Sequence, residues 1–160
     1  MPASCFYTLN KQSTSSFVCS GLGSMTAFSG KPGFINDPAA VTKQDAGPLP
    51  PGRYYIVARQ SGGHLGWLYD WLKDQASHVD HSRWFALYRA DKQIDDLTYV
   101  AGVKRGNFRL HPNGRFGISE GCITLNSQAD FNRLREFLLQ QQTAIIPGTS
   151  IPYYGTVDVR

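Results

Sequence analysis

The distribution of apolar and polar residues at the start of the chain predicts a β-hairpin. Short apolar and β-branched runs at residues 4–9 and 16–19 flank the polar segment NKQSTS. Two such runs joined by a polar loop are typical of paired antiparallel strands. Folding about Gln12 would place Cys5 across from Cys19. The sequence leaves open whether these two cysteines form a disulfide or remain two buried thiols.

Further strands are expected where aromatic and β-branched residues recur between turn residues. The segment RYYIVAR at 53–59 has the strongest strand composition and is expected to run through the sheet. The Pro- and Gly-rich stretch 31–52 is expected to be a long surface loop, and 91–96 and 104–107 are expected to be turns. The remaining predicted strands are 25–29, 84–88, 97–100, 107–110, 122–125 and 153–159.

Two helices are expected from apolar residues at helical spacing. A short helix near 66–75 would present one apolar face, and a longer helix would begin after Ser127 and extend to about Gln141. The Ser127 hydroxyl is suited to the N-cap position of that helix. Together the patterns predict a mainly β domain over residues 1–160, with one principal helix that follows a late strand.

Composition narrows the class of protein. The chain has 160 residues, of which 41% are hydrophobic and 18% charged, so it suits one folded domain and neither a disordered segment nor a coiled coil. Sixteen basic against twelve acidic side chains give a net charge of +4, which favours anionic partners. Basic residues are scattered and do not form a stripe with aromatics, so nucleic acid is not an expected partner.

Membrane and targeting signals are not expected from this sequence. The longest apolar stretches fall far short of the roughly 20 residues that span a bilayer. The first residues have no cationic segment followed by an apolar one, as a Sec signal would. We therefore expect a protein that is made in the cytoplasm and, if exported, leaves by another route.

The densest group of reactive residue types lies in the segment 111–125, HPNGRFGISEGCITL. His111 and Cys122 are 11 positions apart and are expected at the ends of two neighbouring strands. Because an imidazole can take the proton of a thiol, the pair suggests a nucleophilic dyad. Gly121 would let a substrate approach closely, and the Ser119 hydroxyl would tune the site. Taken singly, the alternatives are a buried apolar Cys122 and a structural His111.

A second cluster offers a metal site as an alternative. His78, Asp80 and His81 form the sequence HVDH, and His64 lies upstream. Their spacing lacks the helical i, i+4 pattern typical of paired zinc ligands. We favour an exposed polar loop, so neither a metal nor another cofactor enters the expected mechanism.

Four residues match the signature of a known family. A His, here His111, is followed at a distance by Ser-x-Gly-Cys, here Ser119, Gly121 and Cys122, and then by an aliphatic strand. The chain resembles the L,D-transpeptidases of the YkuD type, and in particular the type VI secretion L,D-transpeptidase effectors. With that branch it also shares the stretches GPLPPGRYYIVAR, SGGHLGW and SEGCITL. The resemblance covers most of the chain.

Three positions depart from that family. Many members have Gly, His and Arg where this chain has Pro112, Glu120 and Thr124. Two other interpretations therefore stay open. One is a Cys-His peptidoglycan endopeptidase that cuts a different bond, and the other is a non-catalytic module that binds the cell wall.

The resemblance implies a fold and a reaction. The fold would be an L,D-transpeptidase-like β-sandwich with the principal helix after the catalytic strand and the short helix near 66–75. Cys122 would attack the diaminopimelate carbonyl of a peptidoglycan tetrapeptide stem, expel D-Ala and form a thioester, with His111 as general base. Water would make the protein an L,D-carboxypeptidase. An amine would make it an L,D-transpeptidase that exchanges D-amino acids or crosslinks stems.

The resemblance also implies partners and a location. The protein would be an antibacterial effector exported by type VI secretion and active in the periplasm of a target cell. Its partners would be tetrapeptide stems, a component of the secretion apparatus and a cognate immunity protein. Arg109 or Arg115 would hold a stem carboxylate through a bidentate pair, the alternative for each being a solvated surface position.

Overall fold

The computed structural model describes residues 1–58, 83–114 and 121–160. These ranges contain the helix α1 (Gln128–Leu139) and a short 3₁₀ turn at Pro38–Ala40. They also contain the strands β1 (Ala3–Tyr7), β2 (Ser15–Cys19), β3 (Gly23–Phe28), β4 (Gly52–Ala58), β5 (Phe85–Arg89), β6 (Leu97–Val100), β7 (Val103–Gly106), β8 (Arg109–Pro112), β9 (Ile123–Leu125), β10 (Ala144–Ile145) and β11 (Pro152–Val159).

Eight strands form a closed ring in the order β1-β2-β3-β9-β8-β5-β4-β11, and β11 pairs back with β1. The β1–β11 and β8–β9 ladders are parallel, and the other ladders of the ring are antiparallel. The mainly β class is confirmed. The β-sandwich is not confirmed, because the ladders join these strands in one barrel-like sheet in place of two packed sheets.

The interior of the barrel is filled by alternate residues of the ring strands. Successive side chains of a strand point to opposite faces, so a one-residue shift of register would expose every apolar residue on it. Burying one large apolar side chain stabilises the fold by about 1.5–3 kcal/mol. The core includes Cys5, Tyr7, Phe17, Met25, Tyr54, Ile56, Phe85, Leu87, Leu110, Ile123, Leu125 and Val157.

The predicted N-terminal hairpin is confirmed. Strands β1 and β2 are antiparallel, and Cys5 lies directly opposite Cys19 in their register. The two cysteines form a disulfide whose sulfurs lie inside the barrel core. The question that the sequence left open is thus answered by a bonded pair.

The principal helix is confirmed with its predicted cap. The Ser127 hydroxyl accepts a hydrogen bond from the Asp130 amide at 3.2 Å, and Phe131, Leu134 and Leu138 of α1 belong to the main hydrophobic cluster. The helix predicted near 66–75 lies outside the described residues. No helix in the described ranges has the length and apolar character needed to span a membrane.

Strand β7 was not expected, because residues 104–107 were predicted to form a turn. That prediction is wrong for residues 104–106, which pair with β6. The chain reverses earlier, at Ala101 and Gly102, where φ is 49° and 79°. A two-residue loop with positive φ at both positions is the type I′ turn that matches the twist of a hairpin. The displaced turn places Arg105 within a strand.

The predicted surface loop between β3 and β4 is fastened by a buried asparagine. The Asn36 side chain donates to the Gln12 carbonyl at 2.9 Å and accepts from the Ser29 amide at 3.1 Å. The Ser29 hydroxyl in turn accepts from the Leu49 amide at 2.8 Å. These bonds fix the path of the loop, whose carbonyl groups at residues 41–48 face β7.

Candidate active site

The ladder between β8 and β9 brings the two ends of the reactive segment together. His111 lies opposite Thr124 in this parallel register, and Cys122 directly precedes β9. Leu110 and Ile123 point into the barrel core. Because strand side chains alternate, His111 and Thr124 lie on the outer face, and Cys122, two positions before Thr124, belongs to the same face.

The hydrogen bonds of His111 assign its proton to one nitrogen. Nδ1 lies 2.8 Å from the Pro112 carbonyl oxygen, which can only accept, so Nδ1 donates. In a neutral imidazole the other nitrogen, Nε2, then carries a lone pair. The Thr124 hydroxyl lies 3.3 Å from Nε2 and serves as its donor. The ring is therefore a base whose accepting nitrogen is Nε2.

An aromatic neighbour fixes the plane of the same ring. The antiparallel β5–β8 register places Trp84 opposite His111. Their rings stack with centroids 4.4 Å apart and an angle of 20° between planes. His111 is 2% exposed. With Trp84 on one side and Thr124 on the other, the imidazole has one orientation.

Cys122 is the one cysteine of the chain outside the disulfide. Its side chain is 3% exposed, and its thiol donates to the Asn107 carbonyl over 4.0 Å. Unlike Cys5 and Cys19, it belongs to neither hydrophobic cluster. A buried thiol that has a polar partner has different chemistry available from one in an apolar core.

Gly121 is required by its backbone and by its surroundings. Its φ of 94° lies in the left-handed region, which glycine adopts without strain. An added Cβ would lie 2.6 Å from Nη2 of Arg105 and 3.0 Å from the Phe108 ring. The space beside Gly121 is thus filled by the protein itself, whereas the sequence suggested an approach path for a substrate.

The group that fills this space is the buried guanidinium of Arg105, which is 3% exposed. It donates to the Val41 carbonyl, to the Gly47 carbonyl at 2.9 Å and to the Pro48 carbonyl at 3.3 Å. The guanidinium also lies over the Phe108 ring, 5.6 Å from its centroid. Among the described residues, no carboxylate lies within ion-pair distance of it.

The electrostatics of Arg105 connect it to the thiol. Burial lowers the pKa of Arg105, and attraction to Tyr54, Asp45 and Cys122 raises it in part. Such an attraction acts equally on both partners. A positive charge near Cys122 therefore favours the thiolate over the thiol.

Arg109 has a different environment from the one its predicted role requires. Its side chain is completely buried, and both Nη atoms bind the Asp96 carboxylate, at 2.6 and 2.7 Å. Nη1 also donates to the Phe108 carbonyl at 2.8 Å. With its charge neutralised and its surface covered, Arg109 has no face for a substrate carboxylate. We do not retain it as a substrate-binding residue.

The other predicted site residues lie outside the described ranges. These are Arg115 and Ser119, together with His64, His78, Asp80 and His81 of the alternative metal cluster. In the ranges that the structure does describe, no three or more His, Cys, Asp or Glu side chains are grouped as metal ligands.

Sequence reasoning missed Arg105, Thr124 and Trp84. Thr124 carried a usable signal: with Ile123 and Leu125 facing the core, alternation alone puts Thr124 and Cys122 on one face. Trp84 required the β5–β8 register. Arg105 could not be found while residues 104–107 were taken as a turn.

A protein-family model matches most of the chain. The model of the Tlde1 domain matches residues 23–149, which include β3, β4, the candidate site and α1. No curated protein and no solved structure matches the chain. The family match spans well over half of the 160 residues. The chain therefore belongs to the Tlde1 domain family, a family of type VI secretion effector domains.

Proposed function

We propose that this protein is a cysteine enzyme that acts on peptidoglycan tetrapeptide stems and cleaves the bond between diaminopimelate and D-Ala. The observation that carries the proposal is the position of His111. His111 lies on β8, Cys122 directly precedes the neighbouring strand β9, and both belong to the same face of the barrel. Membership of an effector family supports an antibacterial role.

The first half of the reaction would form a thioester. Nε2 of His111 takes the proton of the Cys122 thiol, and the thiolate attacks the carbonyl carbon of the scissile amide. The C–N bond breaks as the imidazolium gives its proton to the leaving nitrogen of D-Ala. The stem is then held on sulfur through its diaminopimelate carbonyl. The Nδ1–H bond to Pro112 would stabilise the imidazolium during this step.

The second half would release the stem. Nε2 takes a proton from water or from an amine as the oxygen or nitrogen attacks the thioester carbon. The C–S bond breaks, and the proton returns to sulfur. Water yields a shortened tripeptide stem, which is carboxypeptidase activity. A D-amino acid or a neighbouring stem yields a new amide, which is transpeptidase activity.

Mass spectrometry of a purified disaccharide tetrapeptide tests the proposal. We expect wild type to remove D-Ala, or to replace it with D-Met when D-Met is added, and Cys122→Ala to do neither. Lys104→Ala, at an exposed position of β7, is the matched control and should keep full activity. Cleavage at another bond would point to an endopeptidase. A tetrapeptide bound but unchanged by wild type would point to a wall-binding module.

We further propose that the protein acts in the periplasm of a target cell and that an immunity protein protects the producer. Expression in a bacterial host with an added export signal should stop growth, whereas expression without it should not. The exported Cys122→Ala variant should be harmless. Equal toxicity of wild type without the export signal would contradict a periplasmic target.

A further inference from the structure

Two buried guanidinium groups, Arg105 of β7 and Arg109 of β8, lie near the backbone of Cys122, and they differ in the groups that bind them. Asp96 binds Arg109 through both carboxylate oxygens, so that pair carries no net charge. Among the described residues, the hydrogen bonds of the Arg105 guanidinium go to main-chain carbonyl groups and to no carboxylate. A carbonyl oxygen orients a guanidinium through its dipole but does not cancel its charge.

The position of Arg105 relative to the nucleophile is set by Gly121. A Cβ at Gly121 would lie 2.6 Å from Nη2, so the guanidinium touches the residue directly before Cys122. The left-handed backbone of Gly121 makes this contact available. The charge is thus fixed against the main chain that carries the thiol.

Holding a buried arginine without a carboxylate is energetically costly. Buried charges are usually paired, and a paired acid offsets part of the cost of burial, as Asp96 does for Arg109. The loop at residues 41–48 instead turns three carbonyl groups toward Arg105. The arrangement keeps a positive charge in a medium where charges interact strongly. An anion formed nearby is the partner that such a charge would stabilise.

We propose that Arg105 is a positioning residue that stabilises the thiolate form of Cys122, held in place for this by the carbonyl groups of the 41–48 loop. The inference rests on the proposed role of Cys122 as nucleophile. By this inference, β7 and the loop contribute to catalysis by stabilising the thiolate, although neither supplies an atom that reacts. The thiolate would then depend less on His111, whose main role would be to transfer a proton to the leaving group.

Other charged groups also face this region, and a test must separate them. His111 on β8 contributes positive charge when protonated, and the Arg109–Asp96 pair contributes little net charge. Asp45 and Tyr54 act on Arg105 from the loop and from β4. Glu120, next to Gly121 in sequence, lies outside the described residues.

The test is a pH titration of the Cys122 thiolate by its ultraviolet absorbance, without any substrate. Each variant is measured against the same variant with Cys122→Ala, so that other chromophores cancel. Removal of the charge in Arg105→Gln should raise the midpoint by about one pH unit, a tenfold loss of thiolate below the midpoint. Arg105→Lys should lie between Arg105→Gln and wild type. Arg53→Gln, the same charge change at an exposed site, should leave the midpoint unchanged.

A second arm keeps the proposal testable if Arg105→Gln does not fold. In His111→Gln no imidazolium remains, and burial alone would raise the midpoint above the ordinary thiol value of about 8.5. With Arg105 in place we expect the midpoint to stay below that value. A midpoint at or above it, or a folded Arg105→Gln with the wild-type midpoint, would overturn the inference.

The titration and the tetrapeptide assay fail separately. A depressed midpoint that depends on Arg105, together with an unchanged tetrapeptide, would retain the activated thiol and reject the proposed substrate. If the protein cleaves the tetrapeptide but the thiol midpoint does not change in Arg105→Gln, the proposed function stands and the proposed role of Arg105 is wrong.

Discussion

Two pairs of neighbouring strands in this barrel carry buried cysteines, and their chemistry differs. On β1 and β2, Cys5 and Cys19 face the interior and form a disulfide. Directly before β9, Cys122 faces outward, near His111 and Arg105. Exposure does not distinguish them, since Cys5 and Cys19 are 1% exposed and Cys122 is 3% exposed. The difference lies in the face of the sheet and in the groups found there.

The comparison shows how one barrel separates stability from reactivity. Residues of the inner face pack against each other and require apolar neighbours. Residues of the outer face near β8 and β9 are covered yet keep polar partners, as the hydrogen bonds of His111 illustrate. A substitution on one face should therefore affect mainly stability, and on the other mainly chemistry.

The largest effect is expected at His111. His111→Gln keeps most of the side-chain volume but removes the base, so the rate of D-Ala release should fall about a thousandfold. The melting temperature should change little in comparison, which circular dichroism would measure. Lys104→Ala serves again as the control. A fully active His111→Gln would contradict the dyad mechanism and, with it, the assignment of the chemistry to the outer face.

The next effect concerns the covered ion pair on the outer face. Asp96→Asn leaves the buried Arg109 guanidinium without a charge partner and should lower the free energy of unfolding by about 3–5 kcal/mol. Denaturant unfolding monitored by tryptophan fluorescence measures this loss. Asp95→Asn, next to it in sequence, is the matched control. If both variants unfold like wild type, Arg109 does not depend on Asp96.

Removal of the disulfide should cost somewhat less. The double variant Cys5→Ala, Cys19→Ala should lower the free energy of unfolding by about 3 kcal/mol, as expected for a loop of about 15 residues. The folded fraction should keep the wild-type rate on the tetrapeptide. A reducing agent should destabilise wild type by a similar amount and leave the double variant unaffected. If the fully folded double variant cleaved the tetrapeptide more slowly than wild type, the disulfide would also contribute to catalysis, and the two regions would not be independent.

The smallest effect is expected where β11 pairs with β4. Arg53 binds Asp158 at 2.7 Å, chiefly by a hydrogen bond that lowers the pKa of Asp158. A lowered carboxyl pKa stabilises the fold above the unfolded value, and this is lost as pH falls through the folded value. Because both side chains are partly exposed, Asp158→Asn should cost at most about 1 kcal/mol at neutral pH. In acid the variant and wild type should unfold alike, and a difference that persists there would exclude the ion pair as its source.

The sequence by itself determined the elements whose signals are local. Two apolar and β-branched runs around a polar loop predicted the first hairpin, strand-forming composition predicted β4, and Ser127 with its apolar stripe predicted α1. The concentration of reactive residue types and turn residues in 111–125 drew attention to His111 and Cys122, which were expected at the ends of neighbouring strands. These predictions need only the geometry of a strand or a helix turn.

The tertiary structure decided the closure of the sheet, the disulfide and the surroundings of the thiol. Ring closure depends on the pairing of β11 with β1, which lie at opposite ends of the chain. The sequence of neither strand indicates which strand it pairs with. The role proposed for Arg105 depends on three carbonyl groups from a distant loop. The sequence does not distinguish Arg105 from Arg109. In the structure, Asp96 neutralises the charge of Arg109, whereas it does not bind Arg105. Electrostatics depends on distance in space, which local pattern does not contain.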